Sequence, residues 1–560
     1  MTAYIKKNIK KSILPGIILG LLCGVGYFVK RDGALWFGID RILVLAAAVF
    51  IQIVIVTLSF SIADMLKDKR AKNEASDDRV ANNEASENAL PWINRVVKSS
   101  LLYYFIAFVL ILILWIPTFL ALYPGLFIYD ALWQYSMYVQ GEVTAHHPIL
   151  HTYMLGGIID SVYKSTGSIN KAGAAYTIVQ MVIMALGYAY ILYVFHREKV
   201  STVLHAIALF IWGLFPVCAI FSVAMTKDSI FSVAVADFVV INFLLLRDGK
   251  EFFKRKSNCI LWVIFALVVM IFRNNAKYAL ILMIPFVLVR LYKDNKASSD
   301  GKKSHVVLKS AIMMLVTGVL FFIYAHPITN AVTIDGISTA EMLSVPAQQI
   351  ARVYNYHNDE LSSEDKDQIE QIFGYSDKLT EYIPQQADNV KGCMGAEYLE
   401  KNMGGLIKTW VKFGARYPKE YVDAFLELTY PFWYMWPRYV VYTNGDETYI
   451  PMWSSVPIEQ NPKVAVLYDY YSQFAKGKIV QGYNWISWIF SPALYFYVFI
   501  CAAAYSIKEN KRKFYPLFLA VLLLWLTYML GPVAQIRYAL YLLCLIPCWG
   551  LIIGRSSKRD

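Results

Sequence analysis

Residues 101–122 read LLYYFIAFVLILILWIPTFLAL, an uncharged apolar run, and 123–130 then turn abruptly to YPGLFIYD. A helix of about 20 such residues crosses the roughly 30 Å hydrocarbon core of a bilayer. A carboxylate set just beyond it, as Asp130 is, lies at the membrane–water boundary. Working outward, further apolar runs predict spans near 12–30, 40–62, 173–195, 202–223, 229–246, 258–272, 276–292, 306–326, 484–505, 515–533 and 536–553. With 99–122 this makes an all-α polytopic membrane protein of about twelve transmembrane helices. A mean hydropathy of +0.44 with 57% hydrophobic and 17% charged residues excludes an ordinary soluble chain. Lys6, Lys7, Lys10 and Lys11 precede the run Ser12–Val29, but no small-residue cleavage pattern follows, so it reads as a retained helix.

The net charge of +12 is explained by topology, without nucleic acid. Cations fill loops of one parity: Lys67, Lys69 and Arg70; Arg197 and Lys199; Arg247 to Lys256; Lys293 to Lys303; Lys508 to Lys513; Arg555 to Arg559. That asymmetry predicts a cell-membrane protein with both termini cytoplasmic and the opposite loops outside. Two segments interrupt the spans. Residues 63–98 hold a tandem repeat, AKNEASDDRV then ANNEASENAL, whose polar composition suits a cytoplasmic linker. Residues 327–483 interleave Tyr, Trp, Phe and Pro with charges, which predicts a folded, largely helical extracytoplasmic domain. The organisation expected is therefore two spans in 1–62, the linker, a core in 99–326 with a first outer loop at 123–172, the outer domain, and three spans in 484–560. Of seven cysteines only Cys393 falls in the outer domain, so no disulfide framework is expected there, and no Cys/His spacing marks a zinc site.

Polar residues at the outer ends of the spans carry the chemistry. Asp130 opens a predicted interfacial helix that ends at Gly141, and His146 and His147 follow before Pro148. Taken alone, a helix-capping aspartate and two solvated histidines explain this loop as well as a site does. Other short outer turns add Thr226, Lys227 and Asp228; Arg273, Asn274 and Asn275; and Gln535, Arg537 and Tyr538. Ionisable groups at membrane depth are costly and point to function by default, with snorkelling as the alternative for each one singly. For His205 and Asp237, deeper in their spans, interhelical hydrogen bonding is the expectation.

The string Asp130, Gly141, His147-Pro148-Ile149-Leu150 resembles the first outer loop of the GT-C class of membrane glycosyltransferases, which includes protein O-mannosyltransferases and aminoarabinose lipid A transferases. Thr226-Lys227-Asp228 resembles the class's Asp at the head of a later span, and Arg537-Tyr538 an Arg-Tyr of its final outer turn. The whole chain resembles a bacterial family of uncharacterised glycosyltransferase-like proteins, whose Val-Pro-Ala-Gln-Gln-Ile-Ala element stands at 345–351. Ala131 occupies the position of a second acid in many relatives, which counts against an acid pair or metal site copied from them. Ile149 replaces the second Pro of their His-Pro-Pro-Leu.

The resemblance implies a sugar transferred from a polyprenyl-phosphate donor to a cell-surface acceptor. Chemistry agrees, because a donor outside the cytoplasmic membrane must already be activated in the bilayer. Asp130 is then the expected base, and Arg273, Arg537 and Lys227 the cations facing phosphate, with Asp228, His146, His147 and Tyr538 as further substrate contacts. No cofactor is clearly indicated, and a divalent cation is left open. A transporter or flippase of a lipid-linked or anionic substrate is the alternative from another class. It is disfavoured here by the lack of a visible inverted repeat or of broken helices at matching positions.

Topology is directly testable. In a cysteine-free background, single cysteines at Ser362 and at Ser76 are expected to react and not react, respectively, with an impermeant reagent on intact cells. The reverse pattern overturns the assignment of sides.

Overall fold

The computed structural model describes residues 1–35, 38–80, 100–297, 305–334, 339–374, 376–436, 455–475 and 487–554. The second NEAS copy at 81–90 and the basic C-terminal tail lie outside the described residues. The chain is an all-α membrane protein, and only isolated β-bridges interrupt the helices among the described residues. Seven described helices are long and apolar enough to cross a membrane by themselves: Thr2–Asp32, Ile39–Lys69, Leu101–Ala121, Ile169–Arg197, Lys227–Arg247, Val306–Val332 and Ile536–Gly554. An eighth span exists if Thr202–Leu214 and Pro216–Val223, bent by 51°, count as one. The count of twelve is thus not reached on length and apolarity. The other expected spans are helices that fall short for separate reasons. Lys256–Phe272 and Pro492–Lys508 have 17 residues each and Tyr515–Tyr528 has 14, while Ala276–Ala297 ends in Arg290, Lys293, Asp294 and Lys296.

The N-terminal pair shows why its sequence packs as it does. Gly16, Gly20 and Gly24 recur every fourth residue, so they line one face of the first helix. A Cβ on Gly16 would fall 2.6 Å from the Ile53 Cα and one on Gly20 2.3 Å from the Val49 Cα. Close backbone approach through small residues is how helices associate in lipid, where apolar burial drives nothing. At the hairpin's inner end Asp64 accepts from Lys508 Nζ at 2.5 Å and the Tyr505 hydroxyl at 2.7 Å, and pairs with Lys7 at 3.1 Å. The hairpin is thereby fastened to the Pro492–Lys508 helix.

Lys227–Arg247 is the central helix, and every residue from Lys227 to Leu246 is buried. It packs against Ile169–Arg197, Lys256–Phe272 and Ile536–Gly554. A helix apolar all round has no polar face to turn outward, so it takes the middle of a bundle. The predicted span 202–223 is broken into two helices. Phe210–Leu214 is a π turn, and Pro216 starts the next helix at its first position. The carbonyl of Trp212 at the break accepts from Trp115 Nε1 at 2.9 Å, which supplies the freed backbone with a partner.

His205 and Asp237 differ from the sequence expectation. His205 Nδ1 bonds the Ser201 carbonyl of its own helix, and Asp237 Oδ1 has no partner. Beyond Val332, the helices Ser344–His357, Ser363–Phe373, Ala396–Arg416 and Pro418–Thr429 enclose a second core built on Ala347, Ile350, Ile369, Phe373, Leu406 and Phe413. Ser362 and Asp365 form a capping box at the second of these helices. The Val-Pro-Ala-Gln-Gln-Ile-Ala element lies in the first, where Gln349 Nε2 donates to the Tyr421 carbonyl and Trp410 Nε1 donates to Gln349 Oε1. The element is thus a packing feature of the outer domain.

Filling the hairpin's closest approach tests this packing. Gly20→Leu is expected to cost about 1–3 kcal/mol through overpacking against Val49, with a lowered melting temperature in detergent, whereas Gly318→Leu, facing open space, is expected to be near neutral.

Candidate active site

Residues far apart in sequence meet because the first outer loop bonds to the turn before the central helix. Leu126 N donates to the Val223 carbonyl and Met225 N to the Leu126 carbonyl, both at 2.9 Å, a parallel bridge that sets Asp130 beside Lys227. Gly125 permits the approach. Its φ is +122°, and a Cβ there would lie 2.2 Å from Thr177 Oγ1. Tyr129 follows with φ +55°, unusual for a non-glycine residue, and the strain aims its side chain and that of Asp130 into the site.

Asp130 stands at the N-cap of Ala131–Gln140, yet its side chain makes no capping bond. The carboxylate turns to cations. Lys227 Nζ donates to Oδ2 at 2.5 Å and Arg537 Nη1 donates to the same oxygen at 3.1 Å. No described hydrogen bond reaches Oδ1, and the side chain is 25% exposed. Burial alone would raise this carboxyl, but the Arg537 and Lys227 charges outweigh it and hold it well below the usual carboxylate range. The capping explanation therefore fails on geometry.

The remaining turns supply the rest. Thr226 caps the central helix by accepting from Asp228 N. Asp228 receives Arg273 Nε at 2.6 Å and lies 3.8 Å from Arg537 Nη1. Arg537 is fixed at each nitrogen, with Nε donating to Gln535 Oε1 at 2.6 Å and Nη2 to the Tyr538 hydroxyl at 2.9 Å. Its guanidinium lies over the Tyr129 ring at 4.4 Å, and Arg273 lies over Tyr538 at 4.5 Å. Three cations thus face two carboxylates, and one positive charge is left over.

His147 is buried and accepts from Lys227 Nζ through Nδ1 at 3.1 Å, which puts its proton on Nε2. Burial first, then the Lys227 charge, pull its pKa down to about 2, so it is neutral at physiological pH. His146 is exposed and touches His147 edge-on, apart from the ion pairs. Of the residues expected from sequence, Asp130, His147, Lys227, Asp228, Arg273, Arg537 and Tyr538 converge and His146 does not.

Several residues were missed. His151, one turn after His147, donates from Nδ1 to Gln134 Oε1 at 3.0 Å and accepts from the Tyr176 hydroxyl at 2.7 Å. Gln180 Nε2 donates to the Ala224 carbonyl at 2.7 Å. This network ties the interfacial helix and the Ala224 turn to neighbouring helices, and only the i, i+4 spacing of the two histidines hinted at it. Gln535, named from sequence only as part of its turn, and Tyr129 position Arg537, a role that no local signal marks. Among the described residues no three His, Cys, Asp or Glu side chains come together to hold a metal ion. Compensation of Asp130 and Asp228 comes from lysine and arginine.

An apolar cavity of about 890 Å³ runs beside the site, from Leu150, Met154 and Phe272 at the outer end to Arg197 and Arg255 at the other. Phe272 immediately precedes Arg273 and packs edge-on against His151, so the cavity begins next to the cations.

His147 gives a pH test. Its folded pKa lies below the ordinary 6.5, so the unfolded chain binds more protons between about pH 2 and 6.5, and stability falls as pH drops through that range. The wild type is expected to lose up to about 1.4 kcal/mol per pH unit more than His147→Gln between pH 6 and 5, read from paired thermal melts.

No curated protein and no solved structure matches the chain. Residues 140–560 match the model of DUF6020, described as a family of unknown function, and this stretch takes in Lys227, Asp228, Arg273 and Arg537. The match covers most of the length, and the chain belongs to the DUF6020 family.

Proposed function

We propose that this protein is an inverting glycosyltransferase of GT-C type, taking a sugar from a polyprenyl-phosphate donor to a cell-surface acceptor on the outer face of the cell membrane. The observation that carries the reading is a carboxylate whose Oδ1 takes no hydrogen bond among the described residues, Asp130, beside Lys227, Arg273 and Arg537 and close to the Phe272 end of an apolar cavity. The topology that goes with it has both termini cytoplasmic and twelve crossings, with the shorter helices Lys256–Phe272, Pro492–Lys508 and Tyr515–Tyr528 spanning within the bundle.

In this reading the prenyl chain lies along the cavity, and its phosphate meets Lys227, Arg273 and Arg537. The acceptor hydroxyl approaches Asp130 Oδ1 and gives up its proton there. Its oxygen bonds the anomeric carbon, while the bond from that carbon to the phosphate oxygen breaks and its electron pair leaves with polyprenyl phosphate. Direct displacement assisted by a single base inverts the anomeric centre. The arginines contribute most as the leaving phosphate gains charge, so they act on turnover more than on donor affinity. The outer domain is tied to the same turn, since Ala387 N donates to the Pro532 carbonyl at 2.7 Å, and it completes the acceptor pocket. One observation favours a lipid transporter: the helix bent at Pro216, together with a cavity reaching Arg197 and Arg255.

Purified protein with lipid-linked sugar and an acceptor extract, read by product mass, tests the proposal. Asp130→Asn is expected to lose about 10²–10⁴-fold in transfer. Arg273→Ala and Arg537→Ala are each expected to reduce it strongly, with lysine restoring only part because an ammonium lacks the planar fork. No product from any donor, alongside lipid changing leaflets in vesicles, would replace this reading with transport.

A further inference from the structure

The cations assigned to the phosphate are already engaged. Lys227 and Arg537 both bond Asp130 Oδ2, at 2.5 and 3.1 Å, and these same donors would have to turn toward a donor phosphate. One lysine and one arginine cannot give full ion pairs to a carboxylate and to a phosphate at once, so the two anions compete.

We propose that Asp130 is held inactive as a base by Lys227 and Arg537 in the empty protein and is released when a prenyl phosphate draws those two cations away, so that donor binding must precede proton removal from the acceptor. This rests on the reading of the site as a phosphate-dependent transferase.

The groups that face Asp130 make the switch one-sided. From the central helix come Lys227 and Asp228; from the last span, Arg537 and Tyr538; from its own loop, Tyr129 and His147; and Arg273 stands behind Asp228. His147 already accepts from Lys227 and is neutral, so it offers no replacement charge. Asp228 is occupied by Arg273 and lies 3.8 Å from Arg537, too far for a hydrogen bond. A phosphate is therefore the partner that can take both cations from Oδ2. With them withdrawn, the carboxyl loses the charges that hold it below its usual range and becomes a better base, since a base works best with a pKa near the working pH.

The test is equilibrium binding of farnesyl phosphate to the full-length protein in detergent. If Asp130 competes for the cations, Asp130→Asn and Asp130→Ser bind farnesyl phosphate about tenfold more tightly than wild type, although both lose transfer. Lys227→Ala and Arg537→Ala bind it more weakly. Thermal melts identify any variant that fails to fold. On the unmutated chain, an infrared difference spectrum with and without farnesyl phosphate is expected to show a shifted carboxylate band that Asp130→Asn lacks. Binding that needs Lys227 and Arg537 but is unchanged or weakened in both Asp130 variants overturns the masked base and leaves the transferase reading standing. Binding that is absent, or indifferent to Lys227→Ala and Arg537→Ala, overturns the phosphate assignment itself and the inference with it.

Discussion

The cluster of charges around the first loop depends on neutralising Asp130. A carboxylate and three cations drawn largely out of water carry desolvation costs of several kcal/mol each, and such groups persist only when well paired and hydrogen-bonded. The pairing here uses Lys227 and Arg537 on one oxygen of Asp130, and Arg273 on Asp228. Tyr129 and Tyr538 lie against the guanidiniums, so two like charges are tolerated close together. Removing one member leaves its partner less well compensated, so the members of the cluster are energetically coupled.

That cluster needs a scaffold that fixes its parts to fractions of an ångström, and the chain provides it through backbone contacts. The parallel bridge at Leu126 joins the first outer loop to the central helix. The 455–463 segment clasps the same loop from outside: Ser455 N donates to the Phe127 carbonyl, Asn461 N to that of Tyr123 and Lys463 N to that of Leu120. On the far side Asn275 Nδ2 donates to Thr527 Oγ1, linking the turn that carries Arg273 to the helix that ends beside Tyr528. Since the outer domain also bonds the Pro532 turn, its position bears directly on where Arg537 sits.

The cavity near the cluster has a largely apolar wall. Residues of Ile169–Arg197, Lys227–Arg247 and Lys256–Phe272 line it. Gly187 and Asp237 both face it, and the Asp237 carboxyl lies 2.5 Å from where a Cβ on Gly187 would stand. A larger residue at Gly187 would have to displace that carboxyl.

The sequence alone determined the membrane class and many helix ends, because apolar length and Gly/Pro punctuation are local and follow from solvation. It also marked polar groups at the ends of apolar runs, and so Asp130, Lys227, Arg273 and Arg537 could be named from it. Length and apolarity by themselves support seven or eight spans, since a helix buried in a bundle can be short or bent, as at Pro216, without changing the apolar pattern. Only tertiary structure decided the partners: that Asp130 binds cations instead of capping its helix, that His146 stays out while His151 holds the framework, and that Gln535 and Tyr129 aim Arg537. Those outcomes turn on Leu126 meeting Val223 and on the last span packing beside the central helix, which brings Arg537 to Asp130. Such contacts join residues far apart in the chain, and no local periodicity encodes them.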